Sequence, residues 1–115
     1  MKLKLFVLST ILLSMASLSA HATVAANAHV TTISQTRTGI VDVYLDVART
    51  NLPACAGSNT TVFRFDATTT EGQALLASFL VAYTAGHLID VTGSGTCDAG
   101  GGAVESISYI SIRKQ

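Results

Sequence analysis

The sequence predicts an all-β domain with one helix, carried behind an export signal and closed by one disulfide. Three observations predict it. Short runs of β-branched and aromatic residues recur between clusters of turn formers. A single segment repeats its apolar residues at helical spacing, and it falls between the third and fourth of those runs. Two cysteines, Cys55 and Cys97, stand in the loops between strands.

The export signal is read from three adjoining parts. Lys2 and Lys4 precede an almost purely apolar run from Leu5 to Leu18, and Ala20-His21-Ala22 supplies the small residues that signal peptidase tests. A membrane span needs about 20 apolar residues, and this run is shorter. Residues 1–22 are therefore expected to be a secretion signal and residues 23–115 the domain, with cleavage after Ala20 as the alternative. The expected location is secreted or periplasmic, with no membrane span.

The stretch from Thr23 to Gln115 is 93 residues, which suits one domain. Five basic residues (Arg37, Arg49, Arg64, Arg113, Lys114) face seven Asp and Glu, a net charge of −2. Binding of single-stranded nucleic acid asks for a basic groove with stacking aromatics. An acidic chain without tryptophan does not supply one. In an oxidising compartment, two cysteines allow one intramolecular pair, and a structural staple outweighs a redox or metal-binding role.

Along the domain, Val30 to Thr36 is Thr-rich, with Val30 and Ile33 out of phase, so a bulge or bend is expected. Ile40 to Val47 alternates Val41, Val43, Leu45 and Val47 with Asp42, Tyr44 and Asp46, the pattern of a half-buried strand. Asn51 to Thr60 is rich in turn formers and holds Cys55. Val62 to Asp66 is a short third strand. Thr70-Glu71-Gly72-Gln73 fits a capping box. Leu75, Leu76, Phe79, Leu80 and Tyr83 then recur at helical spacing toward the core, and Gly86 suits the left-handed cap. Leu88 to Thr92 is the fourth strand. Gly93 to Gly102 is a glycine-rich turn holding Cys97, and Val104 to Ile112 is the fifth strand. Bent strands in the order β-β-β-α-β-β fit a five-stranded Greek-key barrel of the OB type, with the helix between strands three and four and one disulfide, Cys55 to Cys97, tying one end.

Two stretches of this chain resemble a known family. Ile33-Ser34-Gln35-Thr36-Arg37-Thr38-Gly39-Ile40-Val41-Asp42 is similar to the first-to-second-strand segment of subtilase cytotoxin B subunits. Tyr83-Thr84-Ala85-Gly86-His87-Leu88-Ile89 is similar to the helix exit and fourth strand of the same family. The resemblance implies an OB fold, a homo-pentamer, a host-cell glycan ligand and a separate catalytic A subunit. The chain departs from the family at the sugar site, where about His29 stands in place of the first-strand serine that the toxin uses for its sugar. Thr92 and Gly93 stand where its fourth strand carries aromatic residues.

Residue patterns for catalysis are thin. Asp42 and Asp46 are four residues apart on one strand face, about 13 Å at about 3.3 Å per residue. Carboxylate pairs of glycosidases sit about 5–9.5 Å apart, so two solvated acids are expected instead. His29 and His87 belong to no spaced set of four zinc ligands, so no metal and no cofactor are expected. Gly93-Ser94-Gly95 lacks the frame of a nucleophile elbow. The expectation is a non-enzymatic binding module, with candidate ligand-binding residues His29, Thr31, Tyr44, Ser106 and Tyr109 offering polar groups from strand faces. A protein-interaction domain without sugar binding is the alternative.

Overall fold

Period-two alternation puts one face of each strand out of water, and seven elements result. A computed structural model describes residues 22–114. The expected secretion signal, residues 1–22, lies outside the described residues except for Ala22. The elements are β1 (Val24–Ala28), β2 (Val30–Gln35), β3 (Ile40–Leu45), β4 (Val62–Asp66), α1 (Thr70–Ala85), β5 (Leu88–Gly93) and β6 (Ile107–Arg113). They form two three-stranded antiparallel sheets, ordered β1-β5-β6 and β2-β3-β4.

The expected single five-stranded barrel is thus corrected to six strands in two sheets. The extra strand is β1, whose sequence Val-Ala-Ala-Asn-Ala has little β propensity. Tertiary pairing makes it a strand: Val24 lies opposite Thr92 and Ala25 opposite Val91. Ala25 and Ala28 are fully buried. Asn27 takes a left-handed φ of 53°, which a short polar side chain tolerates better than most. The pairing register shifts between Ala25 and Ala28, and after His29 the chain joins the other sheet as β2. The bulge expected near Val30 and Ile33 is present between Val30 and Thr32, and a further irregularity precedes it between Ala25 and Ala28. The last strand starts at Ile107, not Val104, because Val104, Glu105 and Ser106 are drawn inward ahead of it. One isolated parallel bridge joins Arg64 to Ser106.

The core follows the alternation. Val41 pairs with Phe65 and Val43 with Phe63, and all four are buried together with Ile89 and Val91. Phe65 stacks on Phe79 of α1 with ring centroids 5.7 Å apart, which seats the helix. The helix begins one residue earlier than the capping box implies. Thr69 is the N-cap, and its hydroxyl accepts from the Gly72 N–H at 2.9 Å. Packing decides between adjacent threonines: a Cβ on Gly72 would lie 1.7 Å from the Asp66 carbonyl oxygen, so the first turn sits directly on the end of β4. Gly86 closes the helix with φ 66° and donates to the Ala82 carbonyl. Leu80 and Tyr83, expected in the core, are exposed beside Val81. One helix on a sheet edge buries one stripe, here Phe79 and Ala82 flanked by Leu75 and Leu76.

The disulfide pairs Cys55 with Cys97 across Cα atoms 6.1 Å apart. It links the 3₁₀ turn Ala54–Ala56, between β3 and β4, to the loop between β5 and β6.

A buried ion pair lies between the sheets. Arg49 and Glu105 meet at 2.5 Å with side chains 1% and 0% exposed. Arg49 also donates to the carbonyls of Asn59 (2.8 Å), Thr60 (3.0 Å) and Val62 (2.5 Å), and to the Thr23 hydroxyl at 3.0 Å. Its guanidinium carbon lies 3.8 Å from the centre of the Phe63 ring, a cation–π contact. Glu105 accepts from the Gly95 N–H (3.0 Å), the Thr23 N–H (3.3 Å) and the Thr23 hydroxyl. Gly93 makes room for it, since a Cβ there would sit 1.9 Å from Glu105 Oε2.

Two stability outcomes are expected. Replacing Cys55 and Cys97 together by alanine lowers unfolding free energy by about 3–4 kcal/mol in urea titrations under oxidising conditions, from the long loop released. Glu105→Ala leaves Arg49 buried and uncompensated and lowers it by about 3–5 kcal/mol, whereas Arg49→Met with Glu105→Leu recovers much of that loss.

Candidate functional site

The outward phase of β3 carries Asp42 and Tyr44, flanked in register by Ser34 and Thr32 of β2 and by Arg64 and Val62 of β4. This row order sets the chemistry of the face. Arg64 grips Asp42 through both carboxylate oxygens, at 2.6 and 2.9 Å. That hydrogen-bonded pairing raises the Arg64 pKa above its ordinary value. Tyr44 stands half-exposed beside this pair, with its hydroxyl in no hydrogen bond to the described residues.

At one end of the face lies the β1–β2 bend. His29 donates its backbone N–H to Asp46 Oδ1 at 2.6 Å, and its ring Nδ1 lies 3.0 Å from Oδ2. The backbone bond is the main reason that the Asp46 carboxyl titrates below its ordinary value; the bond to the His29 ring adds to it. Both side chains remain open to solvent. Thr31, in the irregular step of β2, donates its hydroxyl to the Tyr44 carbonyl at 3.2 Å.

Of the five candidate residues, His29, Thr31 and Tyr44 lie along the β2–β3 ladder, where His29 bonds Asp46 and Thr31 bonds the Tyr44 backbone while lining the groove beside α1. The other two do not join them. Ser106 is buried, and its hydroxyl is used up: it donates to Asp98 Oδ1 at 2.6 Å and accepts from the Asp98 and Ala99 N–H groups at 3.2 and 3.1 Å. The same bond lowers the Asp98 carboxyl pKa. Tyr109 lies on β6, opposite Thr92 in the other sheet, and is exposed. Asp42 and Asp46, expected as two free solvated acids, are each paired, with Arg64 and His29 respectively.

Two grooves flank α1. One, of about 400 Å³, runs along β2 and is lined by Thr31, Thr32, Ile33, Leu76, Leu80 and Tyr83. The other, of about 410 Å³, runs along β6 and includes Ser78, Ser108, Tyr109 and Ile110. Their walls mix hydroxyls with apolar surface. Among the described residues, no cluster of three His, Cys, Asp or Glu side chains could hold a metal ion. No helix among them is long and apolar enough to cross a membrane.

Sequence reasoning missed the partners that define this face. Arg64 was visible only as a basic residue within a strand, and its pairing with Asp42 follows from a cross-strand register that the sequence does not print. The chain matches no protein-family model and no curated protein sequence.

The pH response of the bend has a definite sign. Because the folded Asp46 carboxyl is lowered, its stabilising effect is fully present above the unfolded carboxylate range and fades as the pH falls through the lowered folded value. His29→Ala keeps most of the depression, since the backbone N–H is the larger cause. Carboxyl-detected NMR titration of Asp46 in both proteins checks this, and a return to an ordinary pKa in the variant contradicts it.

Proposed function

We propose that this chain is an exported, non-enzymatic binding module resembling a toxin B subunit, which uses the β2–β3 face to recognise glycans. The observation that carries the reading is that face itself. A half-exposed tyrosine offers a ring for the apolar side of a sugar. Around it stand hydroxyls of Thr32 and Ser34 and the carboxylates of Asp42 and Asp46, the latter two held in place yet keeping acceptor capacity. Glycan recognition asks for such fixed polar groups beside an aromatic plane.

The chain path supports an OB-type reading of the fold. The first strand crosses from one sheet to the other at Asn27–His29, the helix falls between β4 and β5, and a parallel bridge joins β4 to the residue just ahead of β6. Such a path is compatible with an OB-type topology if β1 and β2 together act as one bent strand. Self-assembly is part of the proposal. β2 and β6 are edge strands of their sheets, and Leu80, Val81 and Tyr83 leave an apolar helix face between them. Edges and faces of that kind are ordinarily covered, and a closed ring of identical subunits covers both at once. A separate catalytic A subunit belongs to the same reading.

The apolar helix face also favours the second reading, a secreted or periplasmic OB-type domain that binds another protein and no sugar.

The native mass of the oxidised protein, followed by a glycan array with the protein clustered on a multivalent support, tests both. A pentamer with array signals that fall at least about tenfold in Tyr44→Ala supports the first reading, that loss being about 1.4 kcal/mol per site. A monomer with a blank array sinks it and leaves the second.

A further inference from the structure

We infer that the amine created by cleavage between Ala22 and Thr23 is a second cation of the Glu105 cluster, so that processing at this bond completes the buried charge network. The inference rests on the expected export signal and is independent of any ligand.

Thr23 is buried, although Ala22 beside it is exposed. Its two polar groups divide the Glu105 carboxylate between them. The nitrogen faces Oε2 at 3.3 Å and the hydroxyl bonds Oε1. Its carbonyl accepts from the Gly93 N–H at 2.8 Å, and the next residue, Val24, is in register with Thr92. The residue is clamped on both sides of its Cα, so cutting the bond before it changes the charge of the nitrogen without freeing the residue.

At 3.3 Å the amide contact is longer than an ordinary N–H···O bond. An ammonium carries three donors that rotate about the N–Cα bond, so it reaches the same oxygen with better geometry and adds a charge. The groups that face it are Glu105, through both oxygens, and Arg49, whose Nη1 lies 3.0 Å from the Thr23 hydroxyl. Glu105 collects one cation and three neutral donors when Thr23 is an amide, and two cations when it is a terminus. Cleavage after Ala20 gives no such gain, because the Thr23 nitrogen then stays an amide. Of the two cleavage sites that the signal allows, only the one after Ala22 therefore places an ammonium in the cluster.

The full chain is exported from a bacterial host and its product is compared with that of a chain carrying one serine inserted between Ala22 and Thr23. Intact mass should place the natural terminus at Thr23. The inserted residue should lower the folding equilibrium constant about tenfold in urea unfolding, the difference between a charged and a neutral hydrogen bond. The native Thr23 amine should also be acylated about tenfold more slowly than the displaced one, because its charged form is held by Glu105. Glu105→Gln should abolish the stability difference; if that variant does not fold, the acylation rates of the two unaltered clusters still decide. A natural terminus other than Thr23 overturns the processing step. A terminus at Thr23 with equal stability and equal acylation rates overturns the ion pair instead.

Discussion

The Arg49–Glu105 pair is the constraint around which the rest of the domain is arranged. A buried ion pair is a poor source of net stability, since desolvation of each charge costs several kcal/mol. Burial indeed pulls the Arg49 guanidinium below its ordinary pKa, with Glu105 opposing the shift. Such a pair is tolerated only when every remaining donor and acceptor is answered. Here the answers come from the whole chain: Thr23 before β1, Asn59, Thr60 and Val62 around the start of β4, and Gly95 after β5. The pair therefore ties residues flanking both sheets together through directional bonds, which apolar packing of valines and phenylalanines does not supply.

The loops inherit their shape from the same cluster. The segment between β3 and β4 is held by Arg49 from within and by Cys55 from its outer side. The segment between β5 and β6 is held by Glu105 and by Cys97. Two loops that would otherwise be free are thus bound at one end of the molecule. The surface along the β2–β3 ladder carries ionisable pairs of a different kind. There the Asp42–Arg64 ion pair and the Asp46–His29 hydrogen bond are partly open to solvent and contribute order to a face more than energy.

Much of this arrangement could be read from the sequence, and the failures have physical causes. β3, β4 and β5 showed themselves because alternation with Val, Ile and Phe is a local signal. The helix was legible through its spacing and its Gly86 cap, while its first residue was not, since Thr69 and Thr70 differ only in what packs above Gly72. β1 was invisible because Ala25 and Ala28 are buried by pairing and close approach, not by their own hydrophobicity. The disulfide was forced by counting. Three candidate binding residues fell together because they share β2, β3 and the turn before them. Ser106 misled because its neighbours read as a strand, whereas its hydroxyl serves the Asp98 turn. Arg49 and Glu105 stand 56 residues apart, and no local pattern announces a pair at that distance.

That separation also governs when the domain can exist. The chain is synthesised from its N-terminus, so Arg49 emerges long before its counter-charge. Until Glu105 arrives, the guanidinium keeps its water, and the space between the sheets cannot be sealed. The contact from Thr23 spans 82 residues and waits for the same event. Pairings of such long range are slow to form. Their late closure gives the thiols of Cys55 and Cys97 time to meet before the core shuts.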